Sequence, residues 1–344
     1  MPNVAVVIPV RDRAAMVVEA IASVLAQTYR DLGVVVVDDG SADGSAESAE
    51  TALARAAVPA RVVRLPARDA PTPPGPPRQP TPVVAAPPAA VCPAPRGVAA
   101  ARNAGAAVFD ARWLAFLDSD DLWLPAKLER QIAWLAERPR YRLAQTEERW
   151  LDGGRHRNPR AWHRKEEQLL LRSFERCLVS PSAVVLSREL FAEHRGFDEA
   201  FAVCEDYELW LRITARERVG LVPERLVVKR GGHPGQLSRS TWGLDRWRVA
   251  ALAKFLATVP LADAERAAAI AVARGKCAVL ASGAERRGKR DEAERYRRLA
   301  DAFATLVEVL PAALVDLPPV ATAALRDGGG DQPEPACAET PRDA

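Results

Sequence analysis

The chain has 344 residues, enough for a full hydrophobic core, and its 48% hydrophobic content excludes a disordered or fibrous protein. Basic and acidic side chains nearly balance, 48 against 45 for a net charge of +3, so the overall charge gives no case for nucleic-acid binding. The N-terminal MPNVAVVIPV lacks a basic leader region, no run reaches the ~20 apolar residues that span a bilayer, and the five cysteines show no metal or disulfide spacing, so a soluble or membrane-surface protein with reduced thiols is expected.

Residues 4–8 form a β-branched apolar run, the pattern of a strand buried on both faces in a parallel sheet. Pro9 ends it, Arg11-Asp12-Arg13 makes a polar turn, and Val17, Ile21, Val24 and Leu25 repeat at helical spacing. Residues 34–37 predict a second strand that stops on Asp38-Asp39-Gly40-Ser41, followed by Asp43-Gly44-Ser45 and an Ala-rich helix. Carboxylates at the C-terminal edge of a strand lie where open α/β sheets bind ligands. A capped turn accounts well for Ser41 to Ser45 but poorly for Asp38, which ends a buried run.

A third strand is expected at 61–65. Between Pro66 and Pro95 fall 12 of the 28 prolines, which predicts an extended polyproline II insertion and not a domain. Residues 98–108 predict a helix whose Ala101, Ala104 and Gly105 permit close packing. A fourth strand at 113–117 then delivers Asp118-Ser119-Asp120-Asp121. Three carboxylates in four residues repel one another unless a cation or hydrogen-bond donors compensate, and oxygen ligands suit Mg²⁺ or Mn²⁺. The competing reading has Ser119 or Asp120 cap a helix that starts near Pro125, with Asp121 as its helix-start residue.

The stretch 138–172 is rich in Arg and His around Trp150 and Trp162, and reads as a solvated loop turning at Gly153-Gly154; a surface for an acceptor or an anionic lipid phosphate is the alternative. A strand follows at 181–187 and a short helix at 188–194. Glu205-Asp206 then opens a helix with Leu209, Trp210 and Ile213 on one face, acidic residues being favoured there by the helix dipole. An edge strand or hairpin at 219–229 leads into Gly231-Gly232-His233, a lone histidine in a flexible loop. Beyond Trp242 strand signals vanish, and helices at 252–256, 263–282 and 291–306 predict an appendage packed on the α/β body, with a dimer or membrane-surface contact as alternatives. Residues from about 326 predict disorder.

Ile8-Pro9-Val10-Arg11-Asp12-Arg13, Val37-Asp38-Asp39-Gly40-Ser41-Ala42-Asp43-Gly44-Ser45, Ala101-Arg102-Asn103-Ala104-Gly105 and Asp118-Ser119-Asp120-Asp121 follow the order and rough spacing of family 2 glycosyltransferases. Gly196-Phe197-Asp198-Glu199 and Glu205-Asp206 ahead of Leu209-Trp210 resemble the same family, and the resemblance covers about 4–240 outside the proline insertion and much of the Arg-rich stretch. It implies an α/β protein of the GT-A fold, with a mostly parallel central sheet flanked by helices and a C-terminal all-helical appendage. The corresponding division is a glycosyltransferase domain at 1–240 with 66–95 as a flexible insertion, an appendage at 241–310 and a largely disordered tail at 311–344.

The resemblance further implies a nucleotide-diphosphosugar donor, a UDP-sugar first, with Pro9, Asp12, Asp39, Arg102 and Asp118 at the nucleotide and Asp39 at its base. A divalent Mn²⁺ or Mg²⁺ would sit on Asp120 with His233 completing its shell, Arg239 helping to hold the diphosphate. Asp206 would be the general base of an inverting transfer to a carbohydrate, lipid-linked or other hydroxyl acceptor, with Glu205, Trp210 and Asp121 shaping or backing the acceptor wall, a core tryptophan being the alternative for Trp210. Such an enzyme would work in the cytoplasm or at the inner face of the membrane, in cell-envelope or polysaccharide synthesis, with peripheral membrane association and a homodimer both open. Two alternatives stand beside it. A nucleotidyltransferase would carry a Gly-rich basic loop where Val10-Arg11-Asp12-Arg13 stands, and a non-catalytic nucleotide-sugar sensor or scaffold would have no need of Asp206. A dehydrogenase is disfavoured by the absence of GxGxxG after any strand.

Overall fold

The computed structural model describes residues 1–66, 96–157, 163–233, 235–236 and 243–305. The proline-rich stretch 67–95, Trp162, Arg239 and the tail beyond 305 lie outside the described residues.

The first half alternates strand and helix: β1 (Val4–Val10), α1 (Ala14–Leu25), β2 (Leu32–Asp38), α2 (Ser45–Leu53), β3 (Ala60–Arg64), α3 (Val98–Ala106) and β4 (Trp113–Phe116). The second half runs β5 (Leu122–Trp123), α4 (Lys127–Ala136), β6 (Leu143–Asp152), β7 (Arg155–Arg157), α5 (Leu170–Ser173), a 3₁₀ turn at Pro181–Ala183, β8 (Val184–Ser187), α6 (Arg188–Glu193), α7 (Glu205–Thr214) and β9 (Gly220–Gly231). Three helices close it, α8 (Leu244–Thr258), α9 (Asp263–Arg286) and α10 (Arg290–Thr305).

All strands join one sheet in the order β3-β2-β1-β4-β8-β6-β9-β5, with β7 paired to β6. β3, β2, β1 and β4 are mutually parallel, while β8 enters antiparallel between β4 and β6. The β-branched runs of β1 and β2 are buried along their whole length because helices cover both faces. One face packs Val17, Ile21 and Val24 of α1 on Val4, Val6 and Ile8; the other packs α3 on Val7 and Val37. A Cβ on Gly105 would overlap Val7 and Val37, so the expected close approach at this glycine is real. The chain leaves β1 toward β2 on one side and returns to β4 on the other, which makes the C-terminal ends of β1 and β4 a topological switch point, the place where open sheets bind ligands.

The Arg-rich stretch departs from expectation. Residues 143–152 form a strand paired with both β8 and β9, and its Gln145, Thr146 and Glu148 are buried. Lys165 is buried as well, donating to the Thr146 carbonyl at 2.8 Å and lying 3.4 Å from Glu148 Oε1. Arg142 pairs with Glu193 and Glu217 and Arg172 with Glu166, so part of the supposed basic surface is internally neutralised.

The terminal helices pack on the α/β body. A single apolar cluster joins Tyr207 and Leu211 of α7 to Trp247, Leu252 and Phe255 of α8 and Cys277, Leu280 and Ala281 of α9. By length and composition α9 is able to cross a membrane, contrary to the sequence expectation, yet 44% of its most apolar window is buried and its Lys276 donates to the Glu175 carbonyl at 3.0 Å. One face of it packs into the apolar cluster, with Ala269, Ala273, Cys277, Leu280 and Ala281 buried, while Val279 on another face is exposed.

Candidate active site

The loops after β1 and β2 are tied to each other before any ligand is considered. Asp12 adopts φ 49°, a left-handed conformation that is uncommon outside glycine, and its Oδ1 accepts from the Ala42 amide at 2.8 Å. Asp43 Oδ2 accepts from the Ala14 amide at 2.9 Å, and Ser45 Oγ from the Arg13 amide at 2.9 Å. Asp39 receives the Arg96 and Gly97 amides, each at 2.8 Å, so it anchors the entry to α3 at the C-terminal edge of the sheet. Burial raises its carboxyl above the usual range despite those two donors. Pro9 is buried within β1, past Val7, the last residue of that strand to pair with β4.

Asp118, Asp120 and Asp121 converge, with one ligand oxygen from each lying within 4.8 Å of the others. Every one of them already faces a cationic group. Asp118 Oδ1 accepts from Arg102 Nη2 at 2.6 Å. Asp120 Oδ2 lies 3.0 Å from Arg13 Nη1 and 2.9 Å from His233 Nε2, so the lone loop histidine does reach the cluster. Asp121 Oδ2 lies 3.0 Å from Lys229 Nζ and accepts from Ser182 Oγ at 2.6 Å, and its Oδ1 takes the Arg230 amide at 3.1 Å. Burial would raise Asp118, but Arg102 and then Lys229 outweigh it and hold the carboxyl below the ordinary range. For Asp121, which is 2% exposed, burial wins and the carboxyl is pushed up to about 6. The helix-start role for Asp121 is incorrect: Leu122–Trp123 continues as β5, and α4 begins only at Lys127.

The second acidic group opens α7. Glu205 Oε1 accepts from Arg102 Nη1 at 2.5 Å, so the buried Arg102 spans both acidic groups with one guanidinium. Its ring neighbour is Phe197, whose centroid lies 5.1 Å from Cζ, and its two terminal nitrogens each meet a carboxylate. Burial raises the Glu205 carboxyl to about 7; Arg102 opposes that, and the adjacent Asp206 charge adds to it. Asp206 is half-buried, accepts from Cys177 Sγ at 3.5 Å and its own helix amide Tyr207 N at 2.7 Å, and has no ion-pair partner among the described residues. Of the two readings of Trp210 the structure takes the core one, because it is 1% exposed and packs edge-on against Phe197. Helical periodicity places a tryptophan on the apolar face without saying what covers that face.

Lys229, Arg230, Ser182 and Cys177 were not assigned from sequence. Lys229 follows an ordinary strand pattern, and only its place at the end of β9 beside the glycine loop hinted at the edge. The segment 177–182 links the two acidic groups, with Cys177 at Asp206, Ser180 Oγ accepting from Lys229 at 3.1 Å and Ser182 at Asp121. From behind, Lys254 of α8 grips Asp198 at 2.7 Å and Glu208 of α7 at 2.6 Å, so the terminal helices brace the helix that carries Asp206.

The family model for "Glycosyltransferase like family 2" matches residues 2–230. An uncharacterized glycosyltransferase of Rickettsia conorii is 25% identical over 224 residues, 65% of this chain and 32% of that protein. The succinoglycan biosynthesis protein ExoO of Rhizobium meliloti is 38% identical over 132 residues, 38% of this chain and 29% of that protein. The chain thus spans about a third of the length of these relatives. Among solved structures, S. aureus TarS 1-349 with UDP-GlcNAc superposes at a TM-score of 0.60 and 15% identity, covering 89% of this chain and 92% of that one. The mannosyltransferase PcManGT of Pyrobaculum calidifontis with GDP-Man and Mn²⁺ superposes at 0.51 and 18% identity, covering 95% and 88%. At these identities the structural likeness speaks for a shared fold.

Proposed function

The chain belongs to the family 2-like glycosyltransferases and has their GT-A fold, and on that premise we propose that it transfers a sugar from a nucleotide-diphosphosugar to an acceptor hydroxyl with inversion at the anomeric carbon. The observation that carries this reading is the pair of acidic groups joined by Arg102, one held among cations at the switch point and the other opening α7 with Asp206 left without an ion pair.

Asp206 serves as the base. It takes the acceptor proton as the hydroxyl oxygen attacks the anomeric carbon from the face opposite the leaving diphosphate, and a single displacement inverts the configuration. Arg13 and Lys229 stand at the acidic cluster to share the charge that grows on the diphosphate. Asp39 and Asp12 hold the nucleotide edge in shape through the loop amides they bind.

The donor set fits a hard divalent cation, because converging carboxylate oxygens with one imidazole suit Mn²⁺ or Mg²⁺, and Asp120, His233 and Asp118 would hold it. An ion bound there would supply charge neutralisation to the leaving diphosphate. UDP-sugars come first among donors and GDP-sugars next, after the ligands of TarS and PcManGT. ExoO's part in succinoglycan biosynthesis supports a carbohydrate or lipid-linked acceptor in polysaccharide assembly. The unpaired thiols Cys177, Cys204 and Cys277 support a reducing, cytoplasmic setting. Residues 1–240 form the catalytic unit in this reading, and Lys254 of α8, in the 241–310 appendage, stiffens α7 from behind.

A thermal-shift screen of UDP-, GDP- and dTDP-sugars with and without Mn²⁺ tests it. Ligand at a hundredfold excess over Kd stabilises by about 2.7 kcal/mol, which reads as a rise of a few degrees in Tm for a chain of this size. One base class should raise Tm, more so with Mn²⁺; no shift with any nucleotide-sugar would remove the reading.

A further inference from the structure

Lys229 lies in β9, whose backbone is fixed on both sides: Trp150 of β6 is its register partner, and its neighbour Val228 pairs with Leu122 of β5. From there its ammonium reaches Asp121 Oδ2 at 3.0 Å, Ser180 Oγ at 3.1 Å and Asp118 Oδ2 at 3.9 Å, with Glu148 of β6 as the other carboxylate acting on it. Arg102 serves Asp118 as well as Glu205, and Arg13 serves Asp120 beside His233, so each of the three carboxylates meets a cation, two of these cations being shared with a further carboxylate. Before any ligand arrives, much of the charge of this acidic cluster is already offset.

We propose that Lys229 is a resident counter-cation of the acidic cluster and makes divalent-ion binding and nucleoside-diphosphate binding depend on each other. The proposal rests on the reading above that the site takes both. A cluster whose charge is already partly offset attracts a dication less strongly than a bare one, whereas a diphosphate brings negative charge of its own. The lysine ammonium has three donors on a flexible stem and can turn from Asp121 and Asp118 to phosphate oxygens, which frees carboxylate charge for the ion. Since the coupling is a binding free energy, it is reciprocal: the ion tightens the diphosphate by the factor by which the diphosphate tightens the ion. Lys229 is in this sense a positioning residue for charge, distinct from the base.

The test is Mn²⁺ titration followed by the EPR signal of free ion, on wild type, Lys229→Met and Lys229→Arg, alone and with saturating UDP or GDP in parallel. Wild type should bind Mn²⁺ at least tenfold more tightly with one of the two nucleotides present. Lys229→Met should bind Mn²⁺ alone at least tenfold more tightly than wild type and lose most of the nucleotide enhancement, while Lys229→Arg keeps the wild-type pattern. A folded Lys229→Met with unchanged or weaker affinity for Mn²⁺ alone, or with its enhancement intact, overturns the proposal, and so does a wild type indifferent to nucleotide. Lys229→Gln replaces methionine if that variant does not fold, and failure of both neutral variants to fold assigns the lysine to structure alone and overturns it too. If no form binds Mn²⁺ with either nucleotide, the metal reading falls together with this proposal.

Discussion

Two acidic groups share one cleft and are treated in opposite ways. Around Asp118, Asp120 and Asp121 the fold brings Arg102, Arg13 and Lys229 from α3, the β1–α1 loop and β9, so each carboxylate meets a cation. At the start of α7, Glu205 takes the other end of Arg102, and Asp206 is left with a thiol and a helix amide. In the function proposed above, the contrast separates two tasks: a site that accepts a charged leaving group benefits from fixed opposite charges, while a carboxylate that takes a proton is better placed with no cation committed to it.

The largest expected effect breaks the contrast on the unpaired side. Asp206→Asn should lower transfer about 1,000-fold, within the range a positioned general base supplies, with donor affinity unchanged within twofold by thermal shift. A variant within tenfold of wild type in single-turnover transfer would move the base to another residue.

Next comes the bridge between the two groups. Arg102→Met leaves Asp118 and Glu205 facing each other's side of the cleft without their shared counter-charge, and we expect a loss of about 3 kcal/mol by urea denaturation, part of it restored by Arg102→Lys. A loss under about 1 kcal/mol would show that the bridge is not needed to hold the two sides together.

The smallest effect is in pH. Burial raises the Glu205 carboxyl from its ordinary 4.5 to about 7, against the pull of Arg102. A carboxyl raised in the folded state favours the fold below its unfolded value, and that contribution is lost as pH rises through the folded one. Between pH 5 and pH 8 wild type should therefore lose about 2 kcal/mol that Glu205→Gln does not, read as the difference in urea stability between the two proteins. Equal slopes would mean that Arg102 holds Glu205 ionised throughout.

Much of the acidic sheet edge is legible because its signals are local. β-branched runs ending on Asp38 and Asp118 mark buried strands that stop at a polar edge, and the order of four short motifs then orients the sheet. Even His233, one residue in a glycine loop, was found and arrives 2.9 Å from Asp120. β6 escaped because Gln145, Thr146 and Glu148 face inward, so the strand lacks the apolar alternation that announces one, and its polar groups depend on residues far along the chain such as Lys165. Trp210 stays open between acceptor wall and core for the converse reason: its helical period is legible, but the covering Phe197 belongs to another segment.

The sequence by itself determined the alternating strand–helix order, the acidic edges and the family, since propensity, periodicity and motif spacing act between near neighbours. Only the tertiary structure decided which charge meets which. The ion pair of Arg102 with Glu205 closes across 103 residues, and His233 meets the Asp120 carboxylate across 113. Such partners are chosen by how strands and helices stack, because a buried charge is tolerated only where the folded chain happens to bring its counter-charge.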